Sequence, residues 1–132
     1  MKWNKKYLLG IPAVDAQHKQ LFRLSDELDA ALREGIRPED LNALLIGLQQ
    51  YATRHFSLEE KQMAAVDYPG LAEQQETHLQ FAARFQEIYQ QFTRDGLTAE
   101  ITNLIEQELS SWIREHVTGI DQEFGTFHKR LK

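Results

Sequence analysis

The 132-residue sequence predicts an all-α fold: an up-down-up-down four-helix bundle with an extended N-terminal arm. Three observations lead there. Apolar residues recur at three- and four-residue intervals in four separate runs of similar length. The runs are separated by short connections rich in Gly, Pro and Asp, the condition for neighbouring helices to pack antiparallel. No segment shows the two-residue alternation of a half-buried strand.

Residues 1 to 14 mix aromatic and aliphatic side chains with Gly10 and Pro12, which reads as an arm that packs Trp3 and Tyr7 against the bundle. Asp15 is the expected N-cap of the first helix, whose apolar stripe runs through Leu21, Leu24, Leu28, Ala31 and Leu32 until Gly35. Pro38 suits a first helical turn and opens the second run: Leu41, Leu44, Leu45, Leu48, Ala52 and Met63, broken at Asp67-Tyr68-Pro69-Gly70. The third carries Leu71, His78, Phe81, Phe85, Tyr89 and Phe92 and stops at Asp95-Gly96. Thr98 can cap the fourth, which places Ile101, Leu104, Ile105, Leu109, Trp112 and His116 on its apolar side.

Composition excludes several classes of function. Hydrophobic residues make up 42% and charged residues 27% of the chain, an ordinary globular balance. The net charge of -5 is spread out, and Lys and Arg form no stripe for a phosphate backbone, so no nucleic-acid partner is expected. No apolar run approaches a membrane span, and the N-terminus lacks the apolar core and cleavage site of a signal peptide. No membrane association and a cytoplasmic location are therefore expected. With no cysteine, any metal must be held by imidazole and carboxylate, which favours iron, manganese or zinc.

The functional signal lies in polar residues that fall on apolar stripes. His18 precedes Leu21 by one turn, His55 and Glu59 continue the second stripe, His78 sits on the third, and His116 follows Trp112 by one turn. A single inward histidine is an ordinary core residue. Four of them gathered with a carboxylate that is costly to bury are satisfied together by a metal cation. His55 and Glu59, four apart, project from one helix face toward one point. His116 and Asp121 are five apart, which an ideal helix splays, but Gly119 between them permits a local distortion or a helix end, making Asp121 a candidate second carboxylate.

Taken in order, Gly10-Ile11-Pro12-Ala13-Val14-Asp15-Ala16-Gln17-His18, His55-Phe56-Ser57-Leu58-Glu59-Glu60-Lys61-Gln62-Met63, Tyr68-Pro69 leading to His78-Leu79-Gln80-Phe81, and Trp112-Ile113-Arg114-Glu115-His116 with Asp121 resemble the bacteriohemerythrins, a hemerythrin-like diiron family. The resemblance covers essentially the whole chain and implies one hemerythrin-like domain over residues 1–132. It implies a four-helix bundle holding two non-haem iron ions bridged by an oxo or hydroxo group and by the carboxylates of Glu59 and Asp121. It assigns His18 and His55 to the iron whose open position accepts dioxygen, and His78 and His116 to the other. Phe56 and Trp112 are the candidate walls of the dry pocket that reversible binding needs.

One position departs from the family pattern. Gln74 stands where the family has a histidine four residues before His78; it could ligate through its amide oxygen, leave the position to water, or weaken the second iron. Glu73 and Gln75 are neighbouring substitutes, although Glu73 points about 100° away on the helix. His128 lies outside every ligand pattern and receives no role.

The expected function is reversible binding of dioxygen, or of another small diatomic or anionic ligand, for storage, delivery or sensing. The alternative is a diiron enzyme that reduces peroxide, dioxygen or nitric oxide through an iron position left open by Gln74. A third is iron handling, or a site reduced to one metal or none. The sequence points to no redox partner.

Overall fold

The computed structural model describes residues 2–131, so the two end residues of the expected 1–132 domain lie outside the described part. After a short 3-10 turn (Lys5–Tyr7) come α1 (Pro12–Glu34), α2 (Pro38–Ala65) and α3 (Leu71–Asp95). The fourth rod comprises α4 (Ala99–Leu104), a π-helical segment (Ile105–Ser110) and α5 (Ser111–Thr118); α6 (Ile120–Arg130) follows a break at Gly119. Each rod packs on the next, and the fourth returns to α1, which closes the bundle. No strand occurs among the described residues, and none of their helices is long and apolar enough to cross a membrane.

Several signals act as expected. Pro38 opens α2, Gly96 ends α3, and the Thr98 side chain accepts a hydrogen bond from the Ile101 amide. Trp3 lies under the Lys19 ammonium at 4.7 Å, and the Tyr7 ring sits 5.8 Å from Phe22. The start of α1 differs from expectation: the helix begins at Pro12, because a proline fits the first turn, where no amide donor is needed. Asp15 is therefore inside the first turn rather than its N-cap. Its carboxylate instead accepts the backbone amides of Leu9, Gly10 and Ile11 at 2.7, 3.1 and 3.2 Å, folding the arm onto the helix end.

The π segment answers a feature of the sequence. Ile101, Ile105, Leu109 and Ile113 are buried and spaced by four throughout, a repeat slightly longer than an α-turn, so the stripe would drift around an ideal helix. The i→i+5 bonding of residues 105–110 takes up the excess and returns the stripe to the interior. Ser110 and Arg114 then tie this rod to α1: the Ser110 hydroxyl donates to Asp29 at 2.7 Å, and the Arg114 guanidinium donates to Asp26 and Asp29, each at 2.8 Å.

Two apolar clusters form the core. The larger includes Leu21, Ala52, Phe81 and Ile113; the smaller, toward the arm, comprises Leu9, Ile11, Val14, Met63 and Phe124. Every rod passes from one cluster to the other, and each carries buried polar residues in the interval: His18 between Val14 and Leu21, His55 and Glu59 between Ala52 and Met63, Gln74 and His78 before Phe81, His116 and Asp121 between Ile113 and Phe124. Helical periodicity therefore places the polar residues in one layer.

Candidate metal centre

All seven residues singled out from the sequence, His18, His55, Glu59, Gln74, His78, His116 and Asp121, are buried in that layer and face one another. Glu59, one turn beyond His55 on α2, divides its oxygens between two pairs of histidines. Its Oε2 lies 3.1 Å from His18 Nε2 and 3.2 Å from His55 Nε2; its Oε1 lies 3.1 Å from His78 Nε2 and 3.6 Å from His116 Nε2. Asp121 divides likewise, with Oδ2 3.1 Å from His18 Nε2 and Oδ1 3.1 Å from His116 Nε2. Within each pair the imidazole nitrogens approach closely, at 3.1 Å for His18 and His55 and 3.2 Å for His78 and His116.

Asp121 reaches this layer because the fourth rod breaks at Gly119, whose φ of -110° and ψ of -97° end α5 and restart the helix as α6. A Cβ at Gly119 would sit 2.7 Å from the Glu115 carbonyl oxygen, closer than real contacts allow. Glycine is thus what lets two residues five apart meet at one centre.

Two residues that sequence reasoning missed orient the imidazoles from outside. The Nδ1–H of His78 donates to Glu60 Oε2 at 2.7 Å, and that of His55 to Gln17 Oε1 at 2.9 Å. Glu60, one residue beyond Glu59 and so rotated by about 100° from it, is partly exposed at the bundle edge and reaches across the α2–α3 seam. A signal existed, since an inward histidine with one nitrogen engaged needs an acceptor for the other, and acceptors adjacent to the stripe are the first to test. With Nδ1–H directed outward, the Nε2 lone pair points inward. At His78 only a proton or a metal cation can separate it from Glu59 Oε1.

Aromatic rings hold the layer from the side of the larger core. Phe56 stacks on His78 with centroids 4.0 Å apart, Trp112 stacks on His116 at 4.5 Å, and the two aromatics meet edge to face at 5.7 Å. Phe56 and Trp112 also line, with Leu21, Ala52, Ile113, Val117, His55 and His116, a cavity with about 10 Å³ of free space, the room of one water-sized molecule.

The electrostatics shows what the layer requires. Burial opposes charge on His18, yet hydrogen bonds and attraction from Asp121 and Glu59 overcome it and raise its pKa from 6.5 to about 9. His116 follows the same pattern, again to about 9, with Asp121 the foremost attraction. Burial would raise Glu59, but His55, His116 and His18 together hold it well below the usual carboxylate range. Protons alone must therefore neutralise two fully buried carboxylates, while His18 Nδ1 and Gln74 Oε1 find no hydrogen-bond partner. A donor set of imidazole and carboxylate with orphaned acceptors fits divalent cations, which displace such protons. Ligand atoms of His18, His55, Glu59 and Asp121 lie within 4.8 Å of one another, as do those of Glu59, His78 and His116. His128, on α6, belongs to neither group.

Comparison with known proteins agrees with this arrangement. The chain is 24% identical over 128 residues to a bacteriohemerythrin of Clostridium acetobutylicum, covering 92% of this chain and 96% of that protein. It is 25% identical over 123 residues to a hemerythrin-like protein of Naegleria gruberi, covering 92% and 88% of the two chains. A myohemerythrin of Riftia pachyptila is 22% identical over 122 residues, with the same coverage of 92% and 88%. Residues 9–127 match the hemerythrin HHE cation binding domain, and the chain belongs to that family.

Proposed function

We propose that this chain is a non-haem diiron protein that binds dioxygen reversibly. The observation that carries the reading is the division of Glu59 and Asp121, each with one oxygen toward His18 and the other toward the His78–His116 pair. Carboxylates that each present one oxygen to either group of histidines fit two cation positions side by side rather than one. His18, His55, His78 and His116 would hold the irons through Nε2, with Glu59 and Asp121 spanning both. Iron in this layer would supply the reversible electron donation by which dioxygen is held.

The remaining contributions come from the chain. Glu60 and Gln17 fix the tautomers of His78 and His55, so that both present a lone pair inward. Leu21, Ala52, Phe56, Trp112, Ile113 and Val117 give the small cavity beside His55 an apolar wall that offers no proton and admits little water. Its size suits a diatomic ligand and excludes larger substrates.

Iron analysis of reconstituted protein tests the reading: more than one iron per chain is expected, with a visible spectrum that appears under oxygen and reverses when oxygen is removed. At most one metal per chain overturns it. The enzyme reading is favoured by one observation, the absence of an imidazole at Gln74, and requires sustained consumption of a reductant with peroxide, dioxygen or nitric oxide.

A further inference from the structure

Gln74 occupies the one position in the layer where this sequence leaves its family's pattern, one turn before His78 and fully buried. Its amide Nε2 donates to Asp121 Oδ1 at 2.9 Å, while Oε1 has no hydrogen-bond partner. The chemistry of the pair sets this orientation. With the amide reversed, its oxygen would face a carboxylate oxygen, acceptor against acceptor; as it stands, a donor meets an anion. An amide nitrogen offers no lone pair to a metal, so the side chain is engaged with the carboxylate.

The consequence is an imbalance between the two halves of the centre. Four groups converge on each side, with Glu59 and Asp121 counted in both, but on the side of His78 and His116 the Asp121 oxygen that faces the histidines, Oδ1, is already held by the Gln74 amide, whereas Oδ2 on the side of His18 is not. We propose that Gln74 is a positioning residue for Asp121 rather than a replacement ligand, and that the chain loads its two cation positions in sequence. The His18–His55 position fills first and tightly. The His78–His116 position fills second, is exchangeable, and leaves Gln74 Oε1 available to a water. The inference rests on the two-cation reading above.

Calorimetric titration of the metal-free full chain with zinc(II), a redox-silent probe, tests it. Wild type should take up two equivalents in two steps, the second at least about tenfold weaker than the first. In Gln74→His the second step should tighten by about tenfold or more. In Gln74→Leu, which keeps the bulk and loses the donor, both steps should weaken, because Asp121 serves both positions; a role as ligand alone would weaken only the second. Two equal steps in wild type, an unchanged second step in Gln74→His, or a Gln74→Leu effect confined to the second step overturns the proposal. Uptake of a single equivalent overturns the two-cation reading instead. Circular dichroism of each variant establishes that it is folded, and if Gln74→Leu is not, the other two titrations decide.

Discussion

The layer around Leu45, Leu48, Phe85, Ile105 and Leu109 and the layer around Glu59 and Asp121 lie on the same four rods and are buried to the same degree. They differ in what holds them. Removing Leu45 or Phe85 from water is favourable in itself, in proportion to the apolar area covered. Removing Glu59 and Asp121 from water is unfavourable until opposite charge joins them. One layer folds the chain; the other makes part of its stability conditional on what is bound.

The sharpest contrast comes from truncating each layer in turn. Phe85→Ala should lower the unfolding free energy by about 3–5 kcal/mol, and by the same amount with and without metal, as chemical denaturation in both states will show. Withdrawing the metal from wild type should cost about 3–4 kcal/mol relative to a solution holding several hundred times the dissociation constant. Glu59→Gln should abolish most of that response while leaving the metal-free protein folded. An equal melting temperature for metal-free and metal-loaded wild type would erase the distinction between the layers.

Gly119→Ala probes the break that carries Asp121 into the polar layer. The added methyl meets the Glu115 carbonyl, so a loss of about 1–3 kcal/mol is expected, accompanied by weaker metal retention. A loss of stability with unchanged retention would show that Asp121 reaches the centre without this backbone geometry. Glu60→Gln should act more mildly on retention than Glu59→Gln, up to about tenfold in affinity, since an amide oxygen can still accept the His78 Nδ1–H. Competition with a chromogenic chelator separates the two variants; equal losses would mean that Glu60 does more than orient His78.

The smallest effect is that of pH on the metal-free protein. His18 and His116 have folded pKa values of about 9, raised from 6.5, so their contribution is complete below about 6.5 and is lost as pH rises through 9. Glu59 is lowered, so its contribution is present above about 4.5 and is lost as pH falls through its depressed value. Metal-free protein should therefore melt highest between about pH 5 and 6.5 and progressively lower toward pH 9. Metal affinity should rise over that same interval, because fewer protons compete for the imidazoles. A metal-free melting temperature that climbs from pH 6.5 to 9 would contradict the charge pattern of the polar layer.

Much of this architecture was legible in the sequence because it depends on spacing. Apolar periodicity located the rods, Pro38, Gly96 and Thr98 marked their ends, and the same periodicity put the four histidines and Glu59 into the interior, while Gln74 was singled out only by the family resemblance. What escaped depends on contacts between segments. Asp15 looks like an N-cap because it precedes a periodic run, and only the fold-back of residues 9–11 shows what its carboxylate accepts. Glu60 and Gln17 meet their histidines across helix seams, through side-chain conformations that spacing does not encode. At Gln74 the departure was visible, but not that the amide nitrogen would turn to Asp121.

The π segment gives the fourth rod an unusual relation to changes in chain length. An i→i+5 turn contains one residue more than an α-turn, so a one-residue deletion between Ile105 and Ser110 can be absorbed by an ordinary α-helix with its backbone hydrogen bonds intact. Because the π turn had already absorbed the rotation of that extra residue, Ile101 and His116 keep nearly the same relative orientation, whereas a deletion in the α-helical stretches on either side would rotate them by about 100° relative to one another. Shortening of this rod by one residue is thus tolerated inside the π segment, while outside it what His116 and Asp121 have to meet across the bundle selects against it.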